Sequence, residues 1–389
     1  MKRIQRTGLA LTILLLICSA VVVEVSGRQQ PQMPAKAAQS FSYAQREETA
    51  SPRIRILLQR LRGQIKQKKL TFSVGYTTAL DRQLGALAST RLPQNLSYLA
   101  EKQNSLARQL LAIDIGARDA FNEKHPNILP ELTLRKERPV PCGQQTAFDW
   151  RKLGKVTPVL DQGSCGSCWD FSAVAAFEGS YLLRNGTRID ASEQQILSCS
   201  KAGTCGGGWP YLVFEYLIAN GTAMAASYPY TATDSPCNTP VALPYRAVAW
   251  GYVDSNGGIP SVQALKNALC LHGPLSITVY VDTLFQAYAG GVFKDIPSAT
   301  SPDINHAITL IGWDDSKQAW LIKNSWGTGW GETGGYGTSR GYMWIDYDTN
   351  KVGMASAWVD AQNRFYSLPS QYFKLLPKIR PLPNPRTLK

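Results

Sequence analysis

Apolar side chains recur at three- and four-residue steps in two stretches of the first third of the chain. Ile54, Leu57, Leu58, Leu61 and Ile65 mark the first. Ser51-Pro52 offers an N-cap and a first-turn proline, so the spacing predicts a helix over 51–69. Leu96, Leu99, Leu106, Leu110 and Ile113 mark the second, predicted over 96–121. Between them, residues 70–75 alternate like a short strand. Residues 28–50, rich in Gln, Ala, Ser and Pro, read as linker. Prolines at 126, 130, 139 and 141 predict exposed, extended chain and a processing region. Beyond Cys142 aromatics and glycines rise, with glycine loops at 206–208 and 327–341. The last residues, 364–389, hold five prolines and no acidic residue, and are expected to be flexible or peripheral. No internal repeat is visible.

The 389 residues are 44% hydrophobic, enough for two or three units with a sizeable core. The net charge of +13 raises the question of a polyanionic partner. Its distribution answers it. Residues 28–138 carry 19 basic and 9 acidic side chains, whereas residues 139–363 carry 13 and 18. A basic front segment and an acidic body suit each other better than either suits nucleic acid. At the N-terminus Lys2, Arg3 and Arg6 precede an apolar run from Leu9 to Val23. That run is short for a membrane span and reads as a signal peptide ending near residue 27. Seven of the eight cysteines lie beyond residue 140. After an export signal, such clustering suggests a disulfide framework plus one unpaired thiol.

The segment Asp161-Gln-Gly-Ser-Cys-Gly-Ser-Cys-Trp169 is a tight loop, and helical periodicity starts at its end. Cys168 therefore sits at a helix N-terminus, where peptide dipoles favour a thiolate, the form that attacks a carbonyl. Of three histidines, His125 lies in the front segment and His272 reads as a helix end. His306 opens an apolar strand pattern, and Trp320–Trp326 is a second strand ending in Asn324 and then an indole. An amide can orient an imidazole, and an adjacent Trp can shield the bond from water. Cys165-Gly-Ser-Cys168 also raises a redox or zinc reading. The Trp follows the second Cys rather than preceding the first, and no further Cys-x-x-Cys or His pair completes a zinc site.

Gln162–Trp169, Asn305-His-Ala307 and Lys323-Asn-Ser-Trp-Gly327 together resemble the three active-site blocks of the papain family of cysteine peptidases. Asp149-Trp-Arg151, Ser192-Glu-Gln194, Cys205–Pro210 and Tyr228-Pro-Tyr230 match as well, so the resemblance covers residues 142–360. It implies an α+β fold of two lobes, one helical and one barrel-like in β-structure, with the active-site cleft between them. It implies a secreted endopeptidase made as a zymogen, acting on protein or peptide substrates without metal or cofactor. The roles carried over are Cys168 as nucleophile, His306 as its imidazolium partner, Asn324 as orienting amide and Gln162 as oxyanion donor. Gly207 and Gly208 would hydrogen-bond an extended peptide. Trp209, Pro210, Thr278, Ile304, Ala307 and Ala357 would form the S2 pocket, with Trp326 beside the histidine. All pocket residues are small or apolar, so a hydrophobic P2 side chain is expected. The disulfides implied are Cys165–Cys205 and Cys199–Cys237; Cys142 and Cys270 are left over, and whether they pair with each other stays open.

The expected organisation is a signal peptide at 1–27, an inhibitory propeptide at 28–138, a catalytic domain at 139–363 and a basic C-terminal extension at 364–389. The propeptide assignment rests on position and on residues 71–81, because the interspersed helix motif of cathepsin L-type propeptides is missing. A basic propeptide on an acidic body further predicts acid-promoted self-activation, with cleavage near 135–142. The expected product is a monomer, not inserted in a membrane, in a secreted, lysosome- or vacuole-like, or periplasmic compartment. Asn95, Asn185 and Asn220 lie in glycosylation sequons. Asp170, two residues past the nucleophile, reads as a first-turn helix stabiliser, with a raised thiol pKa as the alternative.

Overall fold

The computed structural model describes residues 42–126, 142–238 and 241–376. The signal peptide, Cys18, most of the linker and the 135–141 processing region lie outside these. Among the described residues no helix is long and apolar enough to cross a membrane.

The front segment begins with α1 (Tyr43–Glu48) and α2 (Pro52–Lys68). Ser51 caps α2, accepting from the Ile54 N–H, and Pro52 fills its first turn. The predicted strand shrinks to β1 (Ser73–Val74), and the second predicted helix extends to α3 (Leu96–Lys124). The body begins with β2 (Ala147–Asp149), then α4 (Cys168–Asn185) and α5 (Glu193–Cys199). Strands β3 (Gly203–Thr204) and β4 (Gly207–Gly208) pair before α6 (Pro210–Ala219). There follow β5 (Ala247–Tyr252), α7 (Val262–His272), β6 (Leu275–Val279) and α8 (Thr283–Gln286). Next are β7 (Tyr288–Gly290), β8 (Val292–Phe293), β9 (His306–Asp314), β10 (Ala319–Lys323), β11 (Tyr342–Asp346), β12 (Met354–Ala361) and α9 (Ser370–Phe373).

An eight-stranded sheet runs in the order β5-β12-β6-β9-β10-β11-β8, with β2 also paired to β9. One apolar core packs under this sheet and includes Phe285, Trp313, Trp320, Trp326 and Trp330. A second fills the space between α4, α5 and α6, around Trp169, Phe177, Phe214 and Leu217. The helical and sheet lobes implied by the resemblance are thus both present, and α4 contacts both. Three disulfides form: Cys142–Cys270, Cys165–Cys205 and Cys199–Cys237.

The front segment is packed onto the body, not strung beside it. Val74 of β1 pairs with Tyr288 of β7, and the Phe72 ring lies 4.6 Å from that of Phe293. Lys68 and Arg82 pair with Asp295 and Asp161 at 2.7 and 2.6 Å, basic on acidic as the charge distribution predicts. Exposed pairs of this kind contribute about 0–1 kcal/mol each. Burying Phe72 alone contributes about 1.5–3 kcal/mol, so apolar contact holds the segment and charge sets its register.

The C-terminal expectation is corrected in part. Residues 364–376 are ordered, with Tyr366, Leu368 and Tyr372 buried in the sheet-side core. These two tyrosines and one leucine are anchors that the prolines and charge of the segment conceal. Of the sequons, Asn95 and Asn220 are exposed, whereas the Asn185 amide is buried, donating to Gln362 O and accepting from Arg364 N.

Cys142–Cys270 closes the longest of the disulfide loops, with a separation of 128 residues. Replacing both cysteines by serine is expected to cost about 2–5 kcal/mol of stability, read by denaturant unfolding in a Cys168→Ala background.

Candidate active site

Cys168 is the first residue of α4 and is fully buried, the only unpaired cysteine among the described residues. His306 opens β9 and Asn324 follows β10, so antiparallel pairing of these two strands brings the imidazole and the amide together. The His306 Nε2–H donates to Asn324 Oδ1 at 2.9 Å. The same oxygen accepts from Ser325 N at 2.8 Å, which fixes the amide as the acceptor of the ring proton. Nδ1 makes no hydrogen bond of its own and is the ring nitrogen left for the thiol. The Trp326 ring lies 4.7 Å from the imidazole and Phe285 closes another side at 6.3 Å, so the ring is held in an apolar sleeve.

Burial pushes the Cys168 thiol up. The neighbouring His306, the Ser89 N–H and the Thr90 hydroxyl together more than offset this and bring it down to about 6. The thiolate form of Cys168 at neutral pH is therefore favoured.

Gln162 is also fully buried. Its Oε1 accepts from the Ser325 hydroxyl at 2.7 Å, which turns Nε2 toward the nucleophile loop. Nε2 donates to Cys165 O at 2.8 Å and to Leu87 O at 3.1 Å. A carbonyl from the front segment thus rests on the donor that the sequence assigns to an oxyanion.

Leu87 begins a stretch that fills the cleft. The Ser89 hydroxyl donates to Gly166 O at 2.6 Å, and the Thr90 hydroxyl lies 3.2 Å from Cys168 Sγ. Thr90 N donates to Asn305 O at 2.9 Å, and Thr90 bridges Gly208 in parallel fashion. Gly207 has φ +128°, and a Cβ there would meet Ser89 O at 2.4 Å, so only glycine lets another chain approach this closely. Residues 87–90 were not singled out from the sequence. Their signal, the run of small residues Ala86-Leu-Ala-Ser-Thr90, is weak, and the 71–81 stretch that drew attention instead packs on β7 and α8.

The pocket residues come together in part. Thr278 and Ala307 are register partners on β6 and β9, and Ala357 lies on β12, the other neighbour of β6. The Thr278 hydroxyl is committed to Met354 O at 2.6 Å. Leu92 of the front segment shares an apolar cluster with Trp209, Ala355 and Ala357. Ile304 is buried just before β9, and Pro210 is half-buried at the start of α6.

Asp170 departs from expectation. Its carboxyl is fully buried and neither oxygen has a hydrogen-bond partner. Burial, with Glu193 nearby, raises it well above the carboxylate range. A neutral group cannot stabilise the helix dipole by charge, nor add a negative charge beside the thiol. Nearby, a cavity of about 20 Å³, room for roughly one water, is lined in part by Glu178, Glu193 and Lys323. Burial lowers Lys323 to about 8 against the pull of Glu178 and Glu193, and its Nζ donates to Thr157 and Pro158.

Among the described residues no group of His, Cys, Asp and Glu could hold a metal ion. The site is a buried thiol with an oriented imidazole, an amide and a preplaced N–H donor. Residues 144–361 match the model of the papain family cysteine protease, and the chain belongs to that family. It is 42% identical over 198 residues to a cathepsin L-like peptidase of Aedes aegypti, covering 49% of this chain and 57% of that protein. It is 34% identical over 264 residues to digestive cysteine proteinase 1 of Homarus americanus, covering 62% and 79%. Digestive cysteine proteinase 2 of Homarus americanus is matched over 62% of its length, so the chain spans about three fifths of two of these relatives. Digestive procathepsin L2 from the larval midgut of Tenebrio molitor superposes with a TM-score of 0.58 at 25% identity, covering 82% of this chain and 90% of that one.

Replacing His306 by alanine removes the positive partner and leaves burial to dominate. The Cys168 titration, at about 6 in the intact chain, is then expected to move to higher pH, read from the pH dependence of thiolate ultraviolet absorbance.

Proposed function

We propose that this chain is the zymogen of a cysteine endopeptidase that cleaves peptide bonds through a Cys168 acyl-enzyme. The reading rests on one observation: a fully buried thiol at a helix N-terminus beside an imidazole whose far nitrogen is tied to Asn324. The Cys168 thiolate adds to the scissile carbonyl carbon. The carbonyl oxygen becomes an oxyanion, stabilised by Gln162 Nε2–H and the Cys168 backbone N–H. The His306 imidazolium then gives its proton to the leaving amine as the tetrahedral intermediate collapses to the thioester. Water, deprotonated by His306, attacks the thioester, and the acid product and free thiol follow. Asn324 keeps the ring oriented throughout, and Trp326 keeps water from that bond.

Residues 42–92 act as the inhibitor. Support comes from Leu87 O on Gln162, Thr90 against Cys168 and Ser89 packed against Gly207, since a substrate needs all three places. The small, apolar setting of Ala307, Ala357 and Trp209 supports a hydrophobic P2 side chain. The N-terminal 27 residues support export, to the outside or to a lysosome- or vacuole-like or periplasmic space. A basic front segment lying on an acidic body supports acid-promoted release of the prosegment.

Acid-treated protein is expected to bind an epoxide thiol inhibitor covalently at Cys168, and the Cys168→Ala chain to bind none; unlabelled wild type sinks the reading. Gln162→Ala is expected to lower kcat by about 100- to 1000-fold with smaller change in KM, and peptide profiling to favour Phe or Leu over Arg at P2. Self-activation is expected to accelerate as pH falls from about 7 to about 4, the range in which carboxylates gain protons; a flat profile counts against the acid trigger.

A further inference from the structure

Strand β5 is the outermost strand of the main sheet, paired only with β12. Such an edge leaves N–H and C=O groups to be satisfied or covered. Here side chains satisfy them. Gln103 Nε2 of α3 donates to Trp250 O at 2.7 Å, and Asn104 Oδ1 accepts from Tyr252 N at 2.8 Å. The Tyr372 hydroxyl of α9 donates to Val248 O at 2.8 Å. Residues 248, 250 and 252 alternate to the same side of the strand, so helix and C-terminal segment together close its open edge.

The apolar face of α3 is equally integrated. Ala100 joins the helical-lobe core, and Leu106, Ala107 and Leu110 join the sheet-side core. Past them Asp114, 1% exposed, meets Arg184 of α4 at 2.5 Å. Arg184 also reaches Asp360 of β12 at 3.3 Å, and the second oxygen of Asp360 lies 3.0 Å from His272 Nδ1. The Tyr366 hydroxyl donates to Asp114 Oδ1 at 2.8 Å and accepts from Arg184 Nη2 at 3.2 Å. Residues 363–364 are pinned to the end of α4, by Asn363 Nδ2 to Arg184 O and Arg364 N to Asn185 Oδ1. Loss of α3 would bare a sheet edge and strip a buried guanidinium of one of its two carboxylates.

The stretch 87–90 is different in kind. It occupies backbone sites that any substrate must take, so it has to leave. We infer that the front segment has two fates: residues 42–92 are released on maturation, whereas helix α3 stays on the β5 edge as a non-covalent chain of the processed enzyme. Its partner surface is the β5 edge with Arg184 at one end and the C-terminal segment as a strap. The inference rests on the proposed maturation, but its test does not.

The full chain carrying Cys168→Ala is given one recognition site for an unrelated, specific protease at the exposed Gln94-Asn95 turn and another within 127–141. After cutting, native size-exclusion chromatography and mass spectrometry of the body peak read which fragments remain. The helix fragment is expected to co-elute one-to-one with the body. In Asp114→Ala its retention is expected to fall at least tenfold on dilution, with a smaller fall in Tyr366→Phe, which keeps the ring. Separation of the helix from the cut wild-type body, with the body's thermal unfolding unchanged, overturns the inference. Equal retention in wild type and both variants overturns the anchoring by Arg184. Absence of self-processing in the active chain would instead count against the proposed maturation, and the engineered cuts would still decide the fate of the helix.

Discussion

A thiol that is both buried and ionised needs a positive charge beside it, and much of this molecule serves that need. Desolvation alone would keep Cys168 neutral. The charge of His306 that helps to reverse this is itself unwelcome in an apolar sleeve of Trp326 and Phe285. Each charge is tolerable because of the other, and the pair is tolerable because rigid elements hold both. The thiol comes from a helix N-terminus in one lobe and the imidazole from a strand in the other. The two lobes therefore have to be fixed relative to each other, and α4, which packs against both cores, is the element that fixes them.

That requirement accounts for the buried polar groups behind the site. Lys323, lowered by burial, is satisfied by Thr157 and Pro158 and stands close enough to Glu178 and Glu193 to feel their charge. Glu178 in turn accepts from Ala191 N. These contacts join α4, the strand leading to Asn324 and the loop before α5. Asp170 stands apart, unpartnered and neutral, and nothing in the structure explains why a carboxyl occupies that place.

The sequence carried the chemistry more fully than the architecture. Cys168, His306, Asn324 and Gln162 were legible because their chemistry demands particular side chains in a local frame: a glycine loop before a helix, and an amide before an indole. Helix α2 was legible from its period and from Ser51-Pro52. What escaped was interaction through backbone. Leu87 uses its carbonyl and Thr90 its N–H in the cleft, and such groups are the same in every residue type. The edge cover of β5 escaped for a related reason. Gln103 and Asn104 look like ordinary polar helix residues until the strand they serve, nearly 150 residues later, is in place. In the C-terminal segment, proline and charge mask the three buried anchors Tyr366, Leu368 and Tyr372.

The hydrogen bond from Tyr366 to Asp114 joins residues 252 positions apart. It has a consequence for synthesis. A chain emerging from the ribosome exposes α3 long before Tyr366 and Tyr372 exist, and long-range contacts of this kind form last. Until they do, Asp114 lacks its tyrosine partner and the Val248 carbonyl lacks its donor. A product cut short just after β12 would contain Cys168, His306, Asn324 and Gln162 and still lack the segment that straps the helix in place. Docking of α3 thus depends on a segment that follows every strand of the main sheet.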